Sequence, residues 1–122
     1  MNQVVHNRLV RLAQARRTVS FREIAALVAT DARSRVSQSR TSRVLSEISV
    51  YEHSHARPML SALVLDREGG SPGPEFFVLA RTLGRYSGED EGSDRRFLAA
   101  EIKSVWDHWR TIGRQRPAPS QA

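Results

Sequence analysis

Apolar residues are spaced for helices over most of the chain and for a strand in one place. Between Asn2 and Arg17, Val5, Leu9, Leu12 and Ala13 share a face opposite Arg8, Arg11 and Arg16, which predicts an amphipathic helix with a solvated basic side. Thr18 and Val19 predict a very short strand. Ser20 followed three residues later by Glu23 is a capping box, in which each side chain satisfies a backbone N–H at a helix start. Phe21, Ile24, Ala25 and Val28 then give a core-facing stripe for a short helix ending near Ala29. Thr30 to Gln38, with Arg33, Ser34 and Arg35 among turn-forming residues, reads as a basic loop. A second helix is expected from Ser39 to about His53. At about 100° per residue, Thr41, Val44, Leu45, Ile48 and Tyr51 cluster on one side, Ser39, Ser42, Arg43, Ser46 and Val50 lie opposite, and Arg40 and Glu47 flank them.

The strand is Arg57 to Asp66, where Leu60, Ala62 and Val64 alternate with Met59, Ser61, Leu63 and Leu65. Both faces are mostly apolar, so it should be buried, with Pro58 starting it at an edge. Arg67 to Pro74 is a glycine- and proline-rich loop without the spacing and terminal lysine of a phosphate-binding P-loop. Pro74 to Gly84 fits either a second strand or a helix. The helix is favoured by a proline in its first turn, by Phe76, Phe77, Ala80 and Leu83 at helical spacing, and by Gly84 after its end. Tyr86 to Gly92 reads as an acidic surface loop. Ser93 is the expected cap of a final helix, residues 93–112, in which Leu98, Ile102, Val105 and Trp109 repeat at four, three and four, widened by Phe97 and Trp106. The tryptophans are read as core or dimer-seam residues, and residues 113–122, rich in proline and small polar residues, as a disordered tail.

A short capped helix, a basic loop, an arginine-bearing helix and an extended segment follow one another in the order of a winged helix-turn-helix. The expected fold is therefore mainly α with a short β component, a single winged helix-turn-helix-like domain over residues 1–112 with its core at 18–65 and an added C-terminal helix. At 122 residues, 39% hydrophobic and 26% charged, the chain suits one soluble domain. No apolar run approaches the roughly 20 residues that span a bilayer, and residues 1–17 lack the pattern of a secretory signal, so a cytoplasmic location and no membrane partner are expected. The net charge of +6 sits entirely in residues 1–67, where eleven arginines face five acids; residues 68–122 are balanced, with eight bases and eight acids.

Small hydroxyl residues around arginine on one helix face can approach nucleic acid closely, serines reaching phosphates and arginine reaching a phosphate or a base edge. Ser39, Arg40, Ser42, Arg43 and Ser46 are the expected DNA-contacting residues, with Arg33 and Arg35 in the preceding loop and Arg67 in the following one near the backbone. Other chemistry is thinly represented. There is no cysteine, hence no disulfide, thiolate nucleophile or cysteine-ligated zinc. His6, His53, His55 and His108 lack metal-ligand spacing, so neither metal nor cofactor is expected. Glu101, Asp107 and His108 share a helix, but the two carboxylates are six residues apart and do not share a face.

The succession VSFREIAALV, an arginine-bearing helix, RPMLSALVL, a glycine-proline loop and a helix resembles the DNA-binding half of alkylguanine-DNA alkyltransferases and their alkyltransferase-like relatives. In that family a TYGxIA helix precedes a recognition helix with an arginine and then a Pro-Cys-His-Arg-Val or Pro-Trp-His-Arg-Val segment. Phe21 takes the place of the tyrosine, Glu23-Ile24-Ala25 continues the helix, Arg40 or Arg43 matches the arginine that enters the DNA stack, and Pro58 matches the proline. The residues after Pro58 are Met59, Leu60 and Ser61, so no thiolate can accept an alkyl group and alkyl transfer is excluded. The segment RPMLSALVLDREGGSPGPEFF also resembles a pattern in small uncharacterised bacterial proteins.

These readings predict a non-enzymatic protein that binds duplex DNA, with an arginine entering the minor groove as the variant implied by the resemblance. The alternative is a protein-interaction module, such as an inhibitor or accessory subunit of a bacterial defence or mobile-element system, that keeps the fold without DNA binding. A homodimer through the C-terminal helix is a further expectation.

Overall fold

Three of the helices end in the same way, and those endings set the path of the chain. In a computed structural model describing residues 1–28, 35–65 and 72–115, with side chains as far as 110, the elements are α1 (Gln3–Gln14), β1 (Val19–Ser20), α2 (Phe21–Val28), α3 (Arg35–Ser54), a 3₁₀ turn (Leu60–Leu63), β2 (Val64–Leu65), α4 (Pro74–Thr82) and α5 (Glu91–Gln115). Arg16, Ala56 and Gly84 follow α1, α3 and α4 with φ of 56°, 58° and 77°. Behind them the N–H groups of Arg17, Arg57 and Arg85 bond the carbonyls of Leu12, Glu52 and Ala80 at 2.9 Å, closing three Schellman turns. None of the described helices is long and apolar enough to cross a membrane.

Helix starts follow local chemistry. The Asn2 side chain accepts from the Val5 N–H at 3.0 Å, and Ser20 Oγ accepts from Glu23 N–H at 3.1 Å, the first half of the capping box. α5 begins earlier than expected: Asp90, not Ser93, is the cap, its carboxylate accepting the Ser93 N–H at 2.7 Å. That bond holds the Asp90 carboxyl below the ordinary carboxylate range. α5 runs through Gln115, three residues into the expected tail; residues 116–122 lie outside the described residues.

The protein is mainly helical with a short β component. The expected strand Arg57–Asp66 is largely replaced by the 3₁₀ turn, leaving only Val64–Leu65, which pairs in parallel with Val19–Ser20 (Val19 opposite Val64, Ser20 opposite Leu65). Every residue from Pro58 to Val64 is buried, so alternation carried no information about which face was outside, and Pro58 is an interior residue rather than the start of an exposed edge. In a 3₁₀ turn residues three apart eclipse one another. Leu60 and Leu63 thus enter one core with Val5, Leu9, Ile24, Leu45, Ile48 and Val105, whereas Met59 and Ala62 enter a second with Phe76, Phe77, Ala80 and Leu98. The turn is the wall between the two.

Two further expectations change, and one is borne out. α3 starts at Arg35, so residues 35–38 are helical rather than loop; Ser37 is buried and its carbonyl accepts Thr41 Oγ1 at 2.7 Å. Residues 29–34 and 66–71, which include most of the expected basic loop and of the glycine-rich loop, lie outside the described residues. Pro74–Thr82 is a helix, which resolves the strand-or-helix ambiguity there. The expected surface loop from Tyr86 ends at Asp90, since α5 takes Glu91 and Gly92, and within it Tyr86 is half-buried: its ring stacks on Phe97 at 4.6 Å between centroids, and its hydroxyl donates to Asp94.

Candidate nucleic-acid interface

α3 is the longest helix ahead of α5, and its two sides differ sharply. Thr41, Leu45, Ile48 and Glu52, spaced four, three and four, turn inward. Arg35, Val36, Ser39, Arg40 and Arg43 are exposed and line a shallow depression on the outer side. None of the three guanidinium groups lies within ion-pair distance of a described carboxylate; the ion pairs present join other residues.

The expected DNA-contacting face is therefore divided. Ser42 and Ser46 are half-buried in a groove whose other walls include Phe21, Leu45, Val64, Glu75, Phe76 and Leu79. The wider mouth of that groove is lined by Arg35, Ser39, Ser42 and Glu75. The first turn of α4 closes over this side of α3, and a carboxylate at its mouth disfavours a phosphate there. Arg33 and Arg67 lie outside the described residues. What remains of the expected set as one open surface is Arg35, Ser39, Arg40 and Arg43, with Val36 among them.

A polar cluster at the other end of α3 had not been expected. Glu52 lies on the buried stripe of the helix, and its side chain is 0% exposed. The Schellman turn folds the chain back so that Arg57 reaches it twice, Nε to Oε1 and Nη2 to Oε2, both at 2.9 Å, while His6 Nε2 donates to Oε2 at 3.2 Å. A parallel arrangement fixes Glu101, which accepts from the Met59 N–H at 2.9 Å and from Arg85 Nε at 3.0 Å, and Arg85 in turn donates to His53 Nδ1 at 3.3 Å. Ser49 and Ser61 bond through their hydroxyls at 2.6 Å between α3 and the 3₁₀ turn. One signal was available: position 52 is four residues beyond Ile48, on the inward stripe, where an acid requires a partner.

Glu101, Asp107 and His108 do not converge on one point. Glu101 is held beneath Met59, whereas Asp107 pairs at the surface with Lys103 at 2.8 Å and Arg16 at 3.5 Å. No group of three or more metal-ligating side chains comes together among the described residues. His108 Nε2 and Trp109 Nε1 are buried without a hydrogen-bond partner among the described residues. Burial, aided by the charge of Arg57 and opposed by Glu52, holds His108 below the ordinary histidine value of 6.5. The unfolded chain thus takes up this proton first as pH falls, so stability is lost from about 6.5 down to the lowered folded value. Thermal melts between about pH 7.5 and 5 should show this decline, and His108→Phe should flatten it; an equal decline in the variant would assign the titration to another group.

Comparison with protein-family models, with curated proteins and with solved structures finds no match to this chain.

Proposed function

We propose that the chain is a non-enzymatic DNA-binding protein of the winged-helix type, in which α2 and α3 form the helix-turn-helix and α3 is laid against duplex DNA. The observation that carries this reading is the row of exposed guanidinium groups at Arg35, Arg40 and Arg43, free of described carboxylates, on a helix whose opposite side is anchored in the core. An arginine fork makes paired hydrogen bonds to phosphate and to the O6/N7 edge of guanine, and guanidinium groups that form no ion pair with a described carboxylate are available to a polyanion. Ser39 stands among these arginines as a neutral donor to phosphate. Ile24 of α2, Leu45 and Ile48 of α3 and Leu60 and Leu63 of the 3₁₀ turn share one core, which holds the helix pair together.

In this reading Ser42 and Ser46 belong to the groove beneath α4 and contribute less than the arginines. Fluorescence anisotropy of labelled duplexes of unrelated sequence tests the proposal. Binding should be tight at about 50 mM salt and fall by roughly 10- to 100-fold at about 200 mM, as expected for release of several counterions. Failure to bind any duplex at low salt would favour the alternative, a protein-interaction module using this fold.

A further inference from the structure

Val36 stands out on the open face of α3. It is 66% exposed, the highest value among the exposed large hydrophobic residues of the described chain, and it shares one depression with Arg35, Ser39, Arg40 and Arg43. Val36, Ser39, Arg40 and Arg43 are spaced three, one and three residues apart, which places them on a single stripe. The stripe extends seven residues, about 10 Å along the helix axis, or about three base steps of duplex at 3.4 Å each. Val36 is the second residue of the helix, and a helix entering the major groove meets base edges with its N-terminal residues.

Resting on the reading of α3 as the DNA-contacting helix, we infer that Val36 determines sequence specificity by packing against the C5 methyl of a thymine in the major groove, beside a guanine read by Arg40 or Arg43. The chemistry of the groove selects this occupant. Donors and acceptors line the major-groove edges of all four bases, and the thymine methyl is their one apolar projection. A branched aliphatic side chain without a hydrogen-bonding group gains nothing from the other edges and covers that methyl from water. The flanking arginines supply the charge that brings a polyanion to the surface, and the same methyl is absent from the minor groove, so this inference also commits α3 to the major groove.

The test begins with selection of preferred sites from a random duplex library by the wild-type protein. Each thymine of the selected site is then replaced by uracil, which removes only the methyl, and affinities are measured for the wild type, Val36→Ala and Val36→Thr. One uracil substitution should weaken the wild type about fourfold, the equivalent of one buried methylene-sized group. It should leave Val36→Ala unchanged, and Val36→Thr, which keeps a methyl, should retain part of the discrimination. All three proteins should melt at the same temperature, since the side chain is exposed. DNA binding that persists with no thymine at which uracil separates the wild type from Val36→Ala overturns the inference while leaving the proposed function standing. Absence of binding to any duplex at low salt overturns both.

Discussion

Replacing Arg57 by methionine is expected to lower the free energy of unfolding by about 3–5 kcal/mol, the range for breaking a buried ion pair from one side. Glu52 has no exposed surface, and two of its three side-chain hydrogen bonds come from Arg57. Without the guanidinium, a carboxylate is left in the interior with His6 alone, whose side chain is 13% exposed. Arg57 is itself 24% exposed and lies over the rings of Tyr51 and Trp109 at 5.5 and 5.7 Å, packing that methionine's thioether largely retains. The loss is thus electrostatic, and it should bring the melting temperature down by about 4 °C per kcal/mol for a chain of this size. Adding Glu52→Leu to Arg57→Met should recover most of the loss, because removing both charges leaves nothing unmatched. A single Arg57→Met variant within about 1 kcal/mol of wild type, the range of an exposed pair, would show that Glu52 is not the buried anchor described above.

The second large effect is on binding. Arg40→Ala/Arg43→Ala is expected to reduce affinity for duplex DNA by about a hundredfold at low salt, as the removal of two charge-assisted hydrogen-bonding groups implies. Both side chains are exposed and neither pairs with a described residue, so stability should stay within about 0.5 kcal/mol of wild type. The contrast with Arg57 is informative: this arginine, seventeen and fourteen residues further along the chain than Arg40 and Arg43, belongs to different physics. Arg57 is consumed in holding the fold together, whereas Arg40 and Arg43 form no ion pair with a described residue.

How far the sequence foretold these features depends on the range of the interaction involved. Ser20 and Glu23 announce the start of α2 because the bond that caps it spans three residues, and Pro74 with Gly84 brackets α4 by the same local chemistry. The inward stripe Thr41, Leu45 and Ile48 was legible from spacing alone, as was the outward placement of Arg40 and Arg43, whereas Tyr51, expected on the inward side, is exposed. The 3₁₀ turn was not, since a run buried on all sides has no polar face to mark its period. Glu52 escaped because its partner His6 is 46 residues away and its partner Arg57 is brought back by a positive-φ turn at Ala56. Tyr86 is half-buried against Phe77 and Phe97 because α4 and α5 meet there. Likewise Ser42 and Ser46 share a side with Ser39 on a helical wheel, and the approach of α4 separates them. What failed to appear in the sequence was the meeting of distant segments, and the partly covered half of the expected interface is of that kind.

The salt dependence of DNA affinity for the wild type and for Arg40→Ala/Arg43→Ala tests the central claim most directly. Plotted as the logarithm of affinity against the logarithm of salt between about 50 and 200 mM, the wild-type slope should be steep and the double variant's shallower by about 2, near 0.9 for each phosphate that is no longer neutralised. Parallel slopes, with binding intact in the variant, would contradict the placement of DNA on this face of α3.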